Sequence, residues 1–298
     1  MNRKQTAGVD EESFLAMVSE IRPELHRYCA RLTGSVIDGE DVVQEAIVKA
    51  YQTLETLKAK DAWRAWLFRI AHNRALDLLR SRALRAAEPL EAASEMPDDD
   101  APDPLERLMR QEAITTAVSR FVELPTIQRS VVVLKDVLDQ SLDDIAGLLE
   151  ISVDAVKGHL ARGRARLREI NARAPKRSAI RTHSAENLRY VELFNRRDWE
   201  SLRALLANDV KLHQATHAVR SGADVGMFFT IYARKAPAIH LAAAWLEGQE
   251  VIAVFENGPA PRPNHFMRIE WREGQIAFIR DYRYVPYIVE SAELILDS

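Results

Sequence analysis

Residues 88–106, EPLEAASEMPDDDAPDPLE, limit what the chain can fold into more than any other stretch. They hold eight acidic residues, no basic one and the prolines Pro89, Pro97, Pro102 and Pro104. Proline removes a backbone donor and fixes φ, and a run of like charges cannot bury enough apolar surface to offset its ordering entropy. The stretch therefore reads as an extended, mobile tether, and the chain must fold as separate units on either side of it. Its 298 residues leave room for two or three units at about 100 to 200 residues each. With 47% apolar and 29% charged residues, each unit can bury its own core.

The net charge of −3 conceals a segregation, with acidic residues gathered around 88–106 and basic ones around 157–181. Local charge, not the mean, selects a partner. Cys29 is the only cysteine, which rules out an intrachain disulfide framework and a multi-cysteine metal site and fits a reducing compartment. The start, MNRKQTAGVDEESF, lacks the apolar stretch of a signal peptide. No window approaches the roughly 18 to 20 apolar residues of a membrane span. A cytoplasmic protein without membrane insertion is expected. No residue spacing calls for a metal or a cofactor.

Before the tether the pattern is helical: Phe14, Val18 and Ile21 recur at helical spacing, as do Val43, Ile47, Tyr51 and Leu54. After it, helical periodicity runs from Leu105 to about Ile170 with breaks at Pro125, LDQS and LEIS, predicting four helices. A basic linker, ARAPKRSAIRTHS, leads to a different grammar. Two helices, about 184–195 and 198–207, precede a strand near 210–217 and a helix near 223–235. Alternating or apolar runs come next at 238–246, 250–256, 264–272 and 276–285, with turns at Gly248, Gly258 and Gly274. That is an α+β domain with helices on one face of a curved, mainly antiparallel sheet. The expected organisation is an all-α module over 12–85, a tether over 86–105, a second all-α module over 106–172, a linker over 173–183 and an α+β domain over 184–298.

SLDDIAGLLEISVDAVKGHLARGRARLRE has the shape of a helix-turn-helix. Ser141 with Asp144 resembles a capping box, and Ile145, Leu148 and Leu149 give the first helix an inward face. Ser152 can cap the next helix, with Asp154 in its first turn where the dipole favours negative charge. There Val153, Val156, Leu160 and Leu167 point inward, leaving Lys157, His159, Arg162, Arg164, Arg166 and Arg168 for solvent or phosphate. Asp154, Ala155, Lys157 and Gly158 lie nearer the helix start, where base edges are reached. Taken alone, these residues also fit an ordinary amphipathic hairpin with a solvated basic face.

Residues 124–169, beginning LPTIQRSVVVLKDVLDQ, resemble region 4 of the sigma-70 family of RNA polymerase initiation factors, the module that reads the −35 element. DGEDVVQEAIVKAYQTL resembles the core-polymerase-binding helix of region 2, with Asp41, Gln44 and Glu45 on the acidic signature. WRAWLFRIAHNRALDLLRSR resembles the next helix, which recognises and opens the −10 element. Two such motifs in the right order are far more specific than one. With regions 1 and 3 absent and a short acidic linker, the resemblance points to the extracytoplasmic-function branch and covers about residues 12–172. It implies that core RNA polymerase and promoter DNA are the partners. It also implies that the loop at about 57–61, with Lys58, Lys60 and Asp61, helps form a pocket for a flipped −10 base. Helical spacing puts Trp63, Leu67, Ile70, Ala71 and Leu78 on one side and Arg69, His72, Asn73 and Arg80 on another, a face that can meet nucleic acid and that the resemblance assigns to the opened strand. Trp63 and Trp66 read either as stacking platforms or as core. Asp41, Gln44 and Glu45 fit either a solvated face or docking on a basic polymerase surface. Three residues depart from the family pattern: Glu150 stands in the turn where glycine is frequent, and Gly158 and Gly163 lie inside the recognition helix at roughly 1 kcal/mol each.

Residues 184–298 resemble a SnoaL-like domain of the nuclear-transport-factor-2-like superfamily, on YVELFNRRDWESLRALLANDVKLH and IEWREGQIAFIRDYRYVPY. The resemblance implies a cone-shaped α+β fold around a pocket. Asp198 can cap the second helix, with Trp199, Leu202, Leu205 and Leu206 turned inward. Enzymes on this fold use a buried Asp or His as acid or base. The candidates are His213, His217, His240, His265 and Asp281; no spacing among them forms a recognisable dyad, so no catalysis is expected. The domain reads as a modulator that contacts the sigma domains and answers to an anti-sigma factor or a small ligand. Two alternatives stay open: a bifunctional protein whose last domain is a small-molecule cyclase, isomerase or hydrolase, and a ligand-responsive one-component DNA-binding regulator that does not engage polymerase.

Overall fold

The computed structural model describes residues 11–54, 57, 62–86, 109, 113–114, 116–173, 182–214, 219–227, 229–230, 238–256, 260 and 262–296. The chain forms two compact units, Met1–Pro175 and Lys176–Ser298. The acidic tether and most of the 173–183 linker lie outside the described residues.

In the first unit, α1 (Glu11–Thr33) buries Phe14, Val18, Ile21, Leu25, Tyr28 and Leu32, the three-and-four spacing of one helix face. Glu11 and Glu12 sit in its first turn, where they complement the dipole. Ser35 starts α2 (Val36–Gln52), its hydroxyl accepting the Asp38 amide at 3.2 Å. Arg22 of α1 donates to the fully buried Glu40 of α2 at 2.5 Å and to Gln44 at 3.0 Å. The third helix, α3, spans Trp63–Ala86.

In the second all-α block Met109, Ala113 and Ile114 are helical, and a 3-10 helix, Val118–Glu123, follows them. Leu124 is extended, as the residue before a proline tends to be, and α4 (Thr126–Val132) begins immediately after Pro125. Instead of ending there, α4 runs on into a π-helical turn, Val133–Val137, which periodicity does not reveal. α5 (Leu142–Leu149) and α6 (Val153–Ala172) form the helix-turn-helix. Ser141 accepts the Asp144 amide at 3.1 Å and donates to its carboxylate at 2.6 Å; Ser152 accepts the Ala155 amide at 3.1 Å. Both caps expected from the sequence are made. Glu150 ends α5 in the left-handed region, φ 58°, where an L side chain costs about 1 kcal/mol or more. One apolar core runs through the whole unit, joining Leu25, Tyr28 and Leu32 to Phe121, Val131 and Leu134.

The two glycines of α6 differ. A Cβ on Gly163 would lie 2.6 Å from Val132 Cγ2 and 3.3 Å from the Gln128 carbonyl, so α6 crosses α4 at a distance only glycine allows. A Cβ on Gly158 would meet nothing nearer than the Arg162 guanidinium at 3.4 Å. Gly158→Ala is expected to stabilise the unit by up to about 1 kcal/mol through helix propensity. Gly163→Ala is expected to destabilise it by about 1 to 3 kcal/mol through overpacking. Urea midpoints of the two variants, moving in opposite directions, check this.

In the second unit, α7 (Ala185–Asn195) and α8 (Trp199–Ala204) precede a seven-stranded sheet. Its strands are β1 (Leu206–Gln214), β2 (Arg220–Ser221), β3 (His240–Leu246), β4 (Gln249–Phe255), β5 (His265–Arg272), β6 (Gln275–Asp281) and β7 (Leu294–Leu296), in the order β2-β1-β6-β5-β4-β3-β7. Among the described residues only the β1–β6 pairing is parallel. α8 stops at Ala204 and β1 starts at Leu206, earlier than the strand expected from Val210, because the Leu205 carbonyl is already taken by the Ile276 amide at 2.7 Å. A short helix α9 (Tyr287–Glu290) and β7 complete the unit, beyond the last run that alternation predicts. Tyr190 and Phe194 of α7, Leu202 of α8, Val225 and Phe229 pack on the face carrying Leu212, Leu241, Ile252, Val254, Met267 and Ile279. Side-chain bonds fasten that layer: Asn195 Nδ2 donates to the Leu241 carbonyl at 2.9 Å, and Trp271 Nε1 donates to Asn187 at 2.8 Å.

Candidate nucleic-acid interface

On α6, Asp154 and Arg166 are exposed, and Ala155, Lys157, Gly158, His159 and Arg162 are half-buried. Burial, and then the Arg162 charge, lowers the His159 pKa, so this ring is held toward its neutral form. Arg162 approaches His159 Nδ1 at 3.3 Å. Further along the same helix, Gln128, Arg162, Arg166, Glu169, Ile170 and Arg173 line an open cleft of about 700 Å³.

Arg164 is a correction to the expected phosphate-facing set. It forms a fork with Asp136 of the π turn, Nε to Oδ2 at 3.0 Å and Nη2 to Oδ1 at 2.6 Å. At 100° per residue it projects away from the Arg162 and Arg166 face, toward α4. The Asp136 side chain is 1% exposed, and a buried carboxylate needs such a partner. The sequence carries a signal for it, since Asp136 is a lone acid in the apolar run VVVLKDVL.

On α3, Asn73 and Arg80 are exposed, Arg80 pairing with Asp77 at 3.2 Å. Arg69 is exposed and donates to the Gly147 carbonyl of α5 at 3.2 Å. His72 does not share that face. It is buried against Tyr28, whose hydroxyl lies 2.7 Å from His72 Nδ1. Burial, and then Arg80, lowers its pKa to about 4. One step of 100° from Asn73 turns it to the core, where Tyr28 supplies its polar partner. Trp63 and Trp66 are half-buried and pack against the core. Lys58, Lys60 and Asp61 lie outside the described residues.

On α2, Asp41 and Gln44 are half-buried and Glu45 is exposed. Glu45 pairs with Arg74 of α3, and Asp38 pairs with Arg82 at 2.6 Å in the field of Asp41. The acidic face of α2 is thus partly neutralised from α3, with the Glu45 pair open to solvent.

In the second unit the histidine candidates separate. His240 is exposed, and His217 lies outside the described residues. Strand alternation puts His213 on the face opposite Leu212 and Gln214. His265 and Asp281 come together across β5 and β6, correcting the expectation that no pair would form: His265 Nε2 lies 3.3 Å from Asp281 Oδ1. Gln214 Nε2 donates to Asp281 Oδ2 at 2.7 Å and the Arg283 amide to Oδ1 at 3.1 Å. Arg283 also pairs with Glu256 at 2.7 Å. Burial pushes Asp281 up to about 6 and His265 down to about 3. Sequence spacing hides the pair because its members stand far apart along the chain, and only the β5–β6 register, Met267 opposite Asp281, brings them into reach.

A capped helix-turn-helix with an arginine-bearing second helix, joined to a three-helix module with one acidic and one arginine-lined helix, defines a DNA-binding transcription factor. The family described as Sigma-70 region 2 matches residues 17–85, and Sigma-70, region 4 matches residues 119–167. The RNA polymerase sigma factor CnrH of Cupriavidus metallidurans is 35% identical over 170 residues, 55% of this chain and 88% of that protein. SigW of Bacillus subtilis, an ECF RNA polymerase sigma factor, is 29% identical over 174 residues, 56% of this chain and 92% of that protein. SigG of Mycobacterium tuberculosis, another, is 32% identical over 224 residues, 67% of this chain; the match spans only 60% of that protein's length. The chain belongs to the extracytoplasmic-function (ECF) branch of the sigma-70 family. Among the described residues no helix is long and apolar enough to cross a membrane.

Proposed function

We propose that the chain binds core RNA polymerase through the α2 face carrying Asp41, Gln44 and Glu45. The exposed stripe of α3, with Arg69, Asn73 and Arg80 and with Trp66 beside it, meets the −10 element and the opened strand. α6 reads the −35 element through Asp154, Ala155, Lys157 and Gly158, with Arg162 and Arg166 on phosphate. The observation that carries this reading is the presence, in order and in one unit, of a region 2 match and a region 4 match whose helix-turn-helix caps are made. The second unit acts as a tethered modulator, held at high local concentration near the DNA-reading unit. Core-dependent run-off transcription, from full-length chain and from chain ending near residue 176, tests both parts. Initiation by both, with different yields, is expected. No initiation by either would refute the initiation role, and equal yields would remove the modulating role.

One observation favours a second reading. The buried Asp281 carboxyl beside a neutral imidazole is a pairing that acid-base enzymes use. Turnover of a small carbonyl substrate by the full chain, lost in Asp281→Asn, would support it.

A further inference from the structure

A side-chain amide at an interface can offer an acceptor or a donor, and which it offers depends on what holds its other end. Gln44 of α2 is half-buried and stands three residues after Asp41 and one before Glu45, on the helix face proposed above to dock on polymerase. Its oxygen is taken: Arg22 Nη2 of α1 donates to Gln44 Oε1 at 3.0 Å. A guanidinium has donors only, so this contact turns the amide oxygen inward and leaves the NH₂ as the group for a partner.

Arg22 is itself held in place. Its side chain is 9% exposed, and the same Nη2 donates to Glu40, which is fully buried one helical turn before Gln44. At i and i+4, Glu40 and Gln44 lie on one stripe of α2 and face the same guanidinium. Glu40 balances the arginine charge, so Gln44 is anchored by a matched buried pair and not by a loose cation. His26 of α1 adds no competing charge: it meets the Val36 carbonyl at 3.0 Å, and burial, opposed by Glu40, lowers its pKa. Ile21 and Leu25 of α1 and Val43 of α2, neighbours of these residues in the chain, are buried in one core, which fixes the two helices that carry the contact.

We propose that Arg22 is a positioning residue for the polymerase-binding face: it orients the Gln44 amide so that this face presents a hydrogen-bond donor beside the Asp41 and Glu45 carboxylates. The inference rests on the reading of α2 as the surface that docks on core polymerase. The matching surface of polymerase then carries an acceptor, a carboxylate or a carbonyl, next to its basic groups. A uniformly basic patch would satisfy Asp41 and Glu45 but set donors against the Gln44 NH₂. The mixed pattern fixes register, because a partner shifted along the helix meets donor with donor.

Affinity of the full-length chain for core polymerase, read by fluorescence anisotropy, tests the assignment through a cycle of variants. Gln44→Ala is expected to weaken binding by about five- to ten-fold, the worth of one interfacial hydrogen bond. Arg22→Met with Glu40→Met removes both buried charges at similar volume and keeps the urea midpoint close to wild type; it is expected to weaken binding by about as much as Gln44→Ala. All three changes together should lose no more than Gln44→Ala alone, because the pair acts through Gln44. Gln44→Glu removes the donor, keeps the shape and sets a carboxylate against an acceptor, so a loss of at least about thirty-fold is expected. That arm leaves the buried pair in place and decides the donor assignment independently of the pair's stability. Losses that add in the combined variant would overturn the positioning role, as would wild-type affinity in Arg22→Met with Glu40→Met beside a weakened Gln44→Ala. Tighter binding by Gln44→Glu would overturn the donor assignment. Wild-type affinity in Gln44→Ala would remove polymerase docking from this face, and the positioning role with it.

Discussion

Arg164→Ala is expected to destabilise the DNA-reading unit by about 3 to 5 kcal/mol, although the residue lies in a run of arginines that looks like a phosphate-binding face. Its side chain is 13% exposed and its partner Asp136 1%, so the variant leaves a carboxylate without its charge partner inside the π turn. Breaking one half of such a pair costs more than the pair contributes, since the remaining charge is neither solvated nor matched. Arg166→Ala is the contrast. Arg166 is exposed, so its loss is expected to change stability by less than about 0.5 kcal/mol. It should reduce the slope of log affinity for promoter DNA against log salt by about 1. Chemical denaturation and salt-dependent DNA binding of both variants separate the roles. The double change Arg164→Met with Asp136→Leu supplies the control. It removes both charges and keeps apolar volume, and it is expected to recover most of the lost stability. A stable Arg164→Ala chain with a reduced salt slope would return Arg164 to the DNA face.

How far such roles can be read without coordinates depends on whether the cause is local. The helix-turn-helix is legible because its signals act within four residues: Ser141 and Ser152 each cap the helix they precede, and Asp144 completes the first cap. The α+β order is legible for a similar reason, since turns at Gly248 and Gly274 bound runs that alternate. Partners across elements are not. Arg164 and Arg166 are equivalent in composition and differ only in which neighbour their helix face meets. Helical spacing groups His72 with Asn73, yet the three-helix packing sets Tyr28 beside it. Gly163 reads as a helix weakness until Val132 is seen 2.6 Å from where its Cβ would be. The π turn escapes because one extra residue in a helical turn leaves no mark on apolar periodicity.

Asp281→Asn is expected to change both the stability of the second unit and its dependence on pH, because Asp281 and His265 are shifted in opposite senses. Asp281 keeps its proton up to about pH 6 in the folded chain, against 3.8 unfolded. Its favourable contribution is therefore full below the unfolded value and is lost as pH rises through about 6. His265 stays neutral down to about 3 when folded, against 6.5 unfolded. Its contribution is full above 6.5 and is lost as pH falls toward 3. Between about pH 4 and 6 the two slopes have opposite sign and nearly equal size, up to about 1.4 kcal/mol per pH unit each. Wild type is expected to be nearly flat across that window. With asparagine at 281 only the His265 slope remains, so stability should climb with pH until about 6.5. At pH 7 the variant also escapes the burial of a charged carboxylate, a gain of up to about 3 kcal/mol from a pKa raised by roughly two units. The amide oxygen can still accept from the Arg283 amide, and Gln214 can turn its own oxygen toward the new NH₂. Hydrogen exchange at the β5 and β6 amides of the full chain, followed from pH 4 to 7, isolates this unit from the helical one. A flat profile in the variant, or a loss of protection at pH 7, would mean that Asp281 is ionised at little cost and that the network is held by its charge.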